Sequence, residues 1–399
     1  MALRSTLLAM LLPAMLCAAG CDDDTTSPGA ADLGVAVADL AMPATPAADL
    51  SMSHTAVDLS AAAEDMAMVP PGPAPFVVDD SFAASGYEGG GDVAGTITDD
   101  QTCPMRAGGG HGHCHHVAWT PGTNSWGGVL WQYPANNWGS APGFAIPAGY
   151  AQVRFRAWGQ AGGEKVSFLV GIGAGAADGF QSRLDVTLAA QPTEYVVGVR
   201  GAYGDHVVSA FGWVTGAGAA QTFYLDDIVW TGDDDGALQP LAVEPTFGPT
   251  GYMGDGASGF VSSGACSGGT SSCRHFEWDP NADAGGATQG WAGVFWQSAP
   301  GDWAGASDPD GAAVAAGFRE IRFVAGSTHG DGEIVSFLAG MGATTRDGWQ
   351  SKLDVALSTT KKTYALGVGG AYGAQVVGGF GWVAGGNGIG VDIDGPSWR

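Results

Sequence analysis

The chain is written twice. Trp126, Val129, Trp131, Gln132 and Trp138 recur in the same order and spacing as Trp291, Val294, Trp296, Gln297 and Trp303. Further on, Gly163-Glu164 with Val166-Ser167-Phe168-Leu169 returns as Gly332-Glu333 with Val335-Ser336-Phe337-Leu338, and Phe211-Gly212-Trp213-Val214 returns as Phe380-Gly381-Trp382-Val383. Solenoid repeats have periods of roughly 20–50 residues, so a far longer period marks a duplicated domain. The copies are placed at 76–235 and 240–399, separated by the acidic, Pro-containing stretch Asp233 to Pro240. Whatever the fold, about 160 residues must specify it.

Composition narrows that fold. Gly 68 and Pro 21 in 399 residues penalise helix interiors and suit short strands joined by many turns. In the first copy, β-branched or alternating runs predict about ten strands. They begin near Phe76, Val93, His116, Gly128, Ala151, Lys165, Arg183, Glu194, Val207 and Thr222. Val153 and Phe155 alternate with Arg154 and Arg156, and Leu184 and Val186 with Arg183 and Asp185, as in strands with one buried face. The expected class is all-β, with two tandem sandwiches of jelly-roll type. Each copy holds a full set of strands and is expected to fold alone. Trp131, Trp296, Trp213 and Trp382 fall inside strand runs and are assigned to the core.

The N-terminus reads as addressing. Arg4, the apolar run Leu7 to Leu16 and the small residues Ala18-Ala19-Gly20 before Cys21 form a signal peptide with a lipobox-like end over residues 1–21. The run is shorter than the ~20 residues a membrane span needs. The expectation is an exported protein held to the bacterial cell envelope by lipid on Cys21, with no other membrane contact. Residues 22–75 carry nine acidic residues, no Lys or Arg and no aromatics, around an Ala-Asp-Leu refrain. Such a segment cannot offset its ordering entropy and is expected to be a disordered linker. Six cysteines less Cys17 in the signal and Cys21 leave four, read as two local disulfides, Cys103 with Cys114 and Cys266 with Cys273.

Charge excludes one partner class. Lys+Arg 15 against Asp+Glu 40 gives a net charge of −25, a field that repels nucleic-acid phosphates.

Thr187-Leu188 through Glu194-Tyr195-Val196-Val197, and the closing run Phe223-Tyr224-Leu225-Asp226-Asp227-Ile228, resemble the late strands of β-jelly-roll carbohydrate-binding modules of the galactose-binding-like superfamily. In the second copy Val355-Ala356-Leu357 to Thr363-Tyr364-Ala365-Leu366 carries the likeness, while Gly390-Val391-Asp392-Ile393-Asp394 departs from the aromatic-led closing strand. The resemblance implies non-catalytic modules that bind saccharides in a cleft or at loop tips, often with a structural calcium between first and last strands. Asp79, Asp80, Asp226 and Asp227 are the corresponding calcium candidates, with oxygen ligands of the kind that ion takes. Negative charge guarding an edge strand is the other reading of these four.

Trp138, Phe180 and Tyr203, with Trp303, Trp349 and Tyr372 in the second copy, stand near glycines and are expected in loops at one end of each sandwich. Two readings fit. They form a flat platform for sugar rings, with Gln181, Arg183, Asp185, Gln350, Lys352 and Asp354 supplying hydrogen bonds, or they cap the open end of the core. Glu164 with Asp178 and Glu333 with Asp347 are the acid pairs nearest to a glycoside hydrolase dyad, but they sit at turn positions. His111, His113, His115 and His116 around Cys114 have metal-like spacing, answered in the second copy only by His275, and are read as a solvated Gly-rich loop. The expected function is polysaccharide binding by a lipid-anchored, non-catalytic envelope protein. The alternatives are a surface adhesin or structural lipoprotein making protein contacts, or a hydrolase.

Overall fold

The computed structural model describes residues 73–399 apart from 90–96, 107–109, 123–124, 217, 234–237, 268, 281–288, 306–310 and 387. The signal peptide with Cys21, and the linker but for its last residues, lie outside the described residues. The expected strand start at Val93 does too.

The first copy contributes β1 (Phe76–Val77), β2 (Ala83–Glu88), β3 (Ile97–Asp100), β4 (His115–Trp119), β5 (Gly127–Gln132), β6 (Phe144–Ala145) and β7 (Gln152–Gly159). It continues with β8 (Lys165–Gly173), β9 (Phe180–Thr187), β10 (Thr193–Gly198), β11 (His206–Val207), β12 (Ser209–Thr215) and β13 (Gln221–Thr231). The second copy contributes β14 (Leu241–Ala242), β15 (Gly248–Gly254), β16 (Val261–Ala265), β17 (Cys273–Trp278), β18 (Trp291–Gln297), β19 (Ala312–Ala313) and β20 (Glu320–Ser327). It closes with β21 (Glu333–Ala339), β22 (Gln350–Leu357), β23 (Lys362–Gly367), β24 (Gln375–Val376), β25 (Gly378–Gly385) and β26 (Ile389–Trp398). Helical structure among the described residues amounts to isolated short turns.

The class is all-β, as expected, and each copy is a two-layer sandwich. The back layer of the first copy runs β10-β7-β13-β4-β3, and that of the second β23-β20-β26-β17-β16. β26 fills the central place that β13 holds in the first copy, although its sequence lacks the aromatic-led start. Between the layers the aromatic packing repeats. Phe155 on β7 meets Phe168 and Phe211 at 4.5 and 4.9 Å, and Phe323 on β20 meets Phe337 and Phe380 at 4.5 and 4.9 Å. Such pairs add about 0.5–1.5 kcal/mol each beyond the area they bury. Trp131, Trp213, Trp296 and Trp382 are all buried in this core. Both expected disulfides, Cys103–Cys114 and Cys266–Cys273, are present.

The front layer is not two sheets but one. Its ten strands run β2-β5-β12-β8-β9-β22-β21-β25-β18-β15, so the copies are joined where β9 pairs antiparallel with β22. The register there is Gln181↔Asp354, Ser182↔Leu353, Arg183↔Lys352, Leu184↔Ser351 and Asp185↔Gln350. Because the pairing is antiparallel and the two strands are equivalent, a pseudo-two-fold axis passes between Arg183 and Lys352. The back layers also touch. The Val196 N–H donates to the Gly369 carbonyl at 3.2 Å, and Gly198 lies against Gly367, each so close to the opposite backbone that an added Cβ would collide with it. A full set of strands therefore does not make the copies separate bodies, since each leaves an edge that only the other copy covers. Both belong to one compact unit, Met68–Arg399.

Candidate functional site

Strand alternation assigns every residue of the front sheet to the core or to the outer face. On β9, Phe180, Ser182, Leu184 and Val186 point into the core, which leaves Gln181, Arg183 and Asp185 on the outer face; on β22, Ser351, Leu353 and Val355 point inward and Gln350, Lys352 and Asp354 outward. The six polar residues expected to supply hydrogen bonds are thus brought together. They lie not at a loop end but in the middle of the shared sheet, as three cross-strand pairs.

From this seam one row of directly opposed residues runs outward across each half. In the first copy it passes from Arg183 to Leu169, Gly212, Leu130 and Gly86. In the second it passes from Lys352 to Leu338, Gly381, Phe295 and Gly251. Nine inter-strand spacings of about 4.8 Å make this row about 43 Å long. Leu130, Leu169, Phe295 and Leu338 lie on this face and not in the cluster between the layers, yet each is only 3–6% exposed, so neighbouring groups cover them. Gly212 and Gly381 interrupt the core aromatics of their strands on the outer side, and a Cβ there would strike Leu130 and Phe295, so glycine lets those side chains lie flat on the sheet.

The centre of the face is a polar belt whose charges cancel. Arg183 Nε meets Asp185 Oδ1 at 2.6 Å and its Nη2 donates to Ser167 Oγ at 2.9 Å. Lys352 Nζ meets Asp354 Oδ2 at 3.0 Å, and Ser336 Oγ donates to Asp354 Oδ1 at 2.5 Å. Gln181 and Gln350 each donate one amide N–H to the next strand, to the carbonyls of Gly171 at 3.3 Å and Gly340 at 3.2 Å. Each keeps its own amide oxygen as an acceptor. All six flanking side chains are half-buried, held in place yet reachable.

The expected aromatics divide. Trp138 and Trp303 are in loops and exposed, at 51% and 42%. The Trp138 loop follows β5 and packs on the turn after β8, where a Cβ at Gly139 would lie 3.1 Å from the Ala177 methyl. The Trp303 loop follows β18 and is tied to the turn after β21 by the Arg346 N–H on the Ala304 carbonyl at 3.1 Å and by Arg346 Nη2 on Asp302 at 3.2 Å. Because the halves are antiparallel, the two loops border opposite long sides of the outer face. Phe180 and Trp349 correct the expectation, for both are fully buried. β9 begins at Phe180, three residues before the expected start, so alternation turns that ring inward, and Trp349 just before β22 follows the same phase. Tyr203 and Tyr372 are half-buried on the core and structural. Each hydroxyl accepts from a backbone N–H, of Tyr150 at 2.9 Å and Phe318 at 2.8 Å, and donates to the carbonyls of Pro147 and Ala315. Their rings stand edge-on to the core Trp230 and Trp398 at 5.2 and 5.0 Å.

The calcium candidates have other partners. Asp79 accepts the indole N–H of Trp131 at 2.9 Å, the backbone N–H of His113 at 2.7 Å and His115 Nε2 at 3.3 Å. Glu244 does the same in the second copy, accepting from Trp296 at 2.8 Å and pairing with Arg274. A buried indole N–H needs an acceptor, and the first carboxylate of each copy supplies it. Asp226 pairs with Arg106 at 3.2 Å, Asp227 accepts the His111 N–H and faces Arg156, and Asp80 is exposed. Burial, then the neighbouring Asp227 charge, raise the Asp226 pKa. Among the described residues, the ligand atoms that do converge are those of Cys266, Cys273 and Asp392, and both thiols are in the disulfide.

His115 is no solvated loop residue. Its ring is buried between Asp79 and Asp99, the latter 2.8 Å from Nδ1. Burial alone lowers its pKa, but the hydrogen bonds and charges of the two carboxylates outweigh that and push it up to about 9. Both ring nitrogens are then donors, each to a carboxylate. His116 stacks on Tyr224 at 4.8 Å. The acid pairs are tied as well. Asp178 accepts the N–H groups of Ile172, Val208 and Ser209, Asp347 those of Met341, Val377 and Gly378, and Glu164 that of Ala161, while Glu333 accepts the Ser327 hydroxyl and faces His329. A cavity of about 340 Å³ opens on the back layer of the first copy, where Arg154 pairs with Glu194 and Arg156 with Asp227.

Sequence reasoning missed Ser167 and Ser336, which brace the belt from the next strand on each side through Arg183 and Asp354. Their signal was the repeated Val-Ser-Phe-Leu, in which the serine is the outward polar residue of a buried strand.

No protein-family model matches the sequence, and no curated protein matches it. Solved structures similar to the chain are carbohydrate-binding modules. The family 11 module of the cellulosomal cellulase Lic26A-Cel5E of Clostridium thermocellum is 14% identical with a TM-score of 0.27, over 40% of this chain and 95% of that one. The N-terminal CBM22-1–CBM22-2 tandem domain of Paenibacillus barcinonensis Xyn10C is 12% identical with a TM-score of 0.25, over 82% of this chain and 98% of that one. A family 30 module of Clostridium thermocellum is 16% identical with a TM-score of 0.24, over 41% of this chain and 95% of that one.

Proposed function

We propose that the outer face of the ten-stranded sheet binds polysaccharide, without catalysis, in a protein held to the bacterial envelope by lipid on Cys21. The observation that carries the binding is the belt itself: six half-buried hydrogen-bonding side chains gathered in the middle of the outer face. A protein interface is built the other way round, with an apolar centre depleted in charge and a polar rim. Sugar rings present hydroxyl edges, which planar amide, carboxylate and guanidinium groups match. Charge points the same way. In a chain of net charge −25, the belt pairs Arg183 with Asp185 and Lys352 with Asp354, which favours a neutral, hydroxyl-rich ligand.

Absence of catalysis is supported by the acids. Asp178 and Asp347 are consumed by backbone N–H donors, and Asp185 and Asp354 by their cations. The anchor rests on Arg4, the run Leu7 to Leu16 and Ala18-Ala19-Gly20-Cys21.

The test is electrophoresis through gels containing soluble cellulose ethers, xylan, mannan or laminarin. Retardation by at least one polymer, abolished in the double variant Gln181→Ala and Gln350→Ala at unchanged melting temperature, is expected. Migration unaffected by every polymer overturns the binding reading, and release of reducing ends from a retarding polymer overturns the non-catalytic one. For the anchor, Cys21→Ser should lose membrane fractionation, and a parent without a diacyl group by mass spectrometry removes it.

A further inference from the structure

We infer that the two copies form one site and not two: a single extended chain crosses the seam between β9 and β22, and neither copy alone holds a complete site. This rests on the polysaccharide reading of the outer face. The hydrogen-bonding belt is divided equally by the seam, with Gln181, Arg183 and Asp185 on one strand and Gln350, Lys352 and Asp354 on the other. Each of these residues has a directly opposed neighbour in the other copy, so a ligand seated on the belt of one copy lies against the other. The belt spans two strands and is closed on either side by the buried Leu169 and Leu338, so a chain seated on it lies over the seam.

Symmetry makes a second demand. A polysaccharide has a direction, whereas the belt is two-fold, so one chain meets the halves in opposite senses. The belt repeats closely, with its one difference at the centre, where Arg183 of the first copy faces Lys352 of the second. A single directional ligand meets a different part of its repeat at each of these two cations.

The experiment is calorimetric titration of the full chain with β-1,4-linked tri-, hexa- and nonasaccharides of glucose, xylose and mannose. With at least one sugar series, affinity should rise by tenfold or more from tri- to hexasaccharide, at one nonasaccharide per protein. Lys352→Met and Arg183→Met, one on each side of the seam, should each lower hexasaccharide affinity about tenfold. Two trisaccharides per protein bound as tightly as hexasaccharides overturn the single site and leave polysaccharide binding standing. Absence of heat with every oligosaccharide, while a polymer still retards the protein, also overturns it. Failure of both assays overturns the underlying reading as well.

Discussion

Arg183 of β9 stands directly opposite Lys352 of β22, two cations in antiparallel register at the axis that relates the two copies. Like charges so placed repel, by about 0.2–1 kcal/mol. Each is relieved by the carboxylate two residues along its own strand, Asp185 at 2.6 Å and Asp354 at 3.0 Å.

Removing both carboxylates exposes the repulsion. The double variant Asp185→Asn and Asp354→Asn should be less stable than the parent by about 1 kcal/mol in denaturant melts at low salt, with the difference shrinking as salt screens these partly exposed charges. A difference that does not respond to salt would assign the loss to packing.

The shared sheet bears on folding. Residues 73–399 should unfold in a single calorimetric transition, and fragments 76–235 and 240–399, each with a bare edge at β9 or β22, should self-associate alone and pair when mixed. Light scattering during size-exclusion chromatography reads this. Two monomeric fragments that ignore each other would show that the seam contributes little.

Burial separates the aromatics. Trp349→Ala, in the core, should cost about 3–5 kcal/mol, whereas Trp138→Ala and Trp303→Ala, both about half exposed, should cost about 1 kcal/mol or less. Urea midpoints at constant slope provide the comparison.

His115 ties stability to pH. Its pKa is raised in the folded state, from 6.5 to about 9, so its contribution is complete below pH 6.5 and fades as pH rises through about 9. The shift corresponds to a loss of order 3 kcal/mol across that window. Asp79, whose pKa is lowered because His115, the His113 N–H and the Trp131 N–H outweigh its burial, acts at the other end, where stability falls as acid protonates it. His115→Gln should flatten the profile of melting temperature between pH 6.5 and 9, and an unchanged slope would place the titration elsewhere.

The strand pattern was largely legible. Lys165 begins β8 as expected, and His116, Gly128, Glu194, Val207 and Thr222 each lie one residue from an observed start, because β-branched runs between glycines report local backbone preference. Arg183 shows how a small error in bounds misplaces function. With β9 starting at Phe180, a ring read as a loop platform becomes a core residue, since a strand sends alternate side chains to opposite faces. The outward placement of Gln181, Arg183 and Asp185 was unaffected by that error, because they share one phase of the same strand.

By itself the sequence determined the duplication, the all-β class, the disulfide pairs and the core tryptophans, all set by local pattern or by short separations along the chain. Only the tertiary structure decided that the two copies share one sheet. That decision depends on two edge strands from distant parts of the chain, β9 and β22, finding in each other the hydrogen-bond partners that each lacks at home. An edge strand and a central strand carry the same alternating pattern, so nothing in the residues of either strand says which neighbour completes it. The location of the candidate site follows from that pairing: the six polar residues face outward by their own alternation, and they meet only because the edges do.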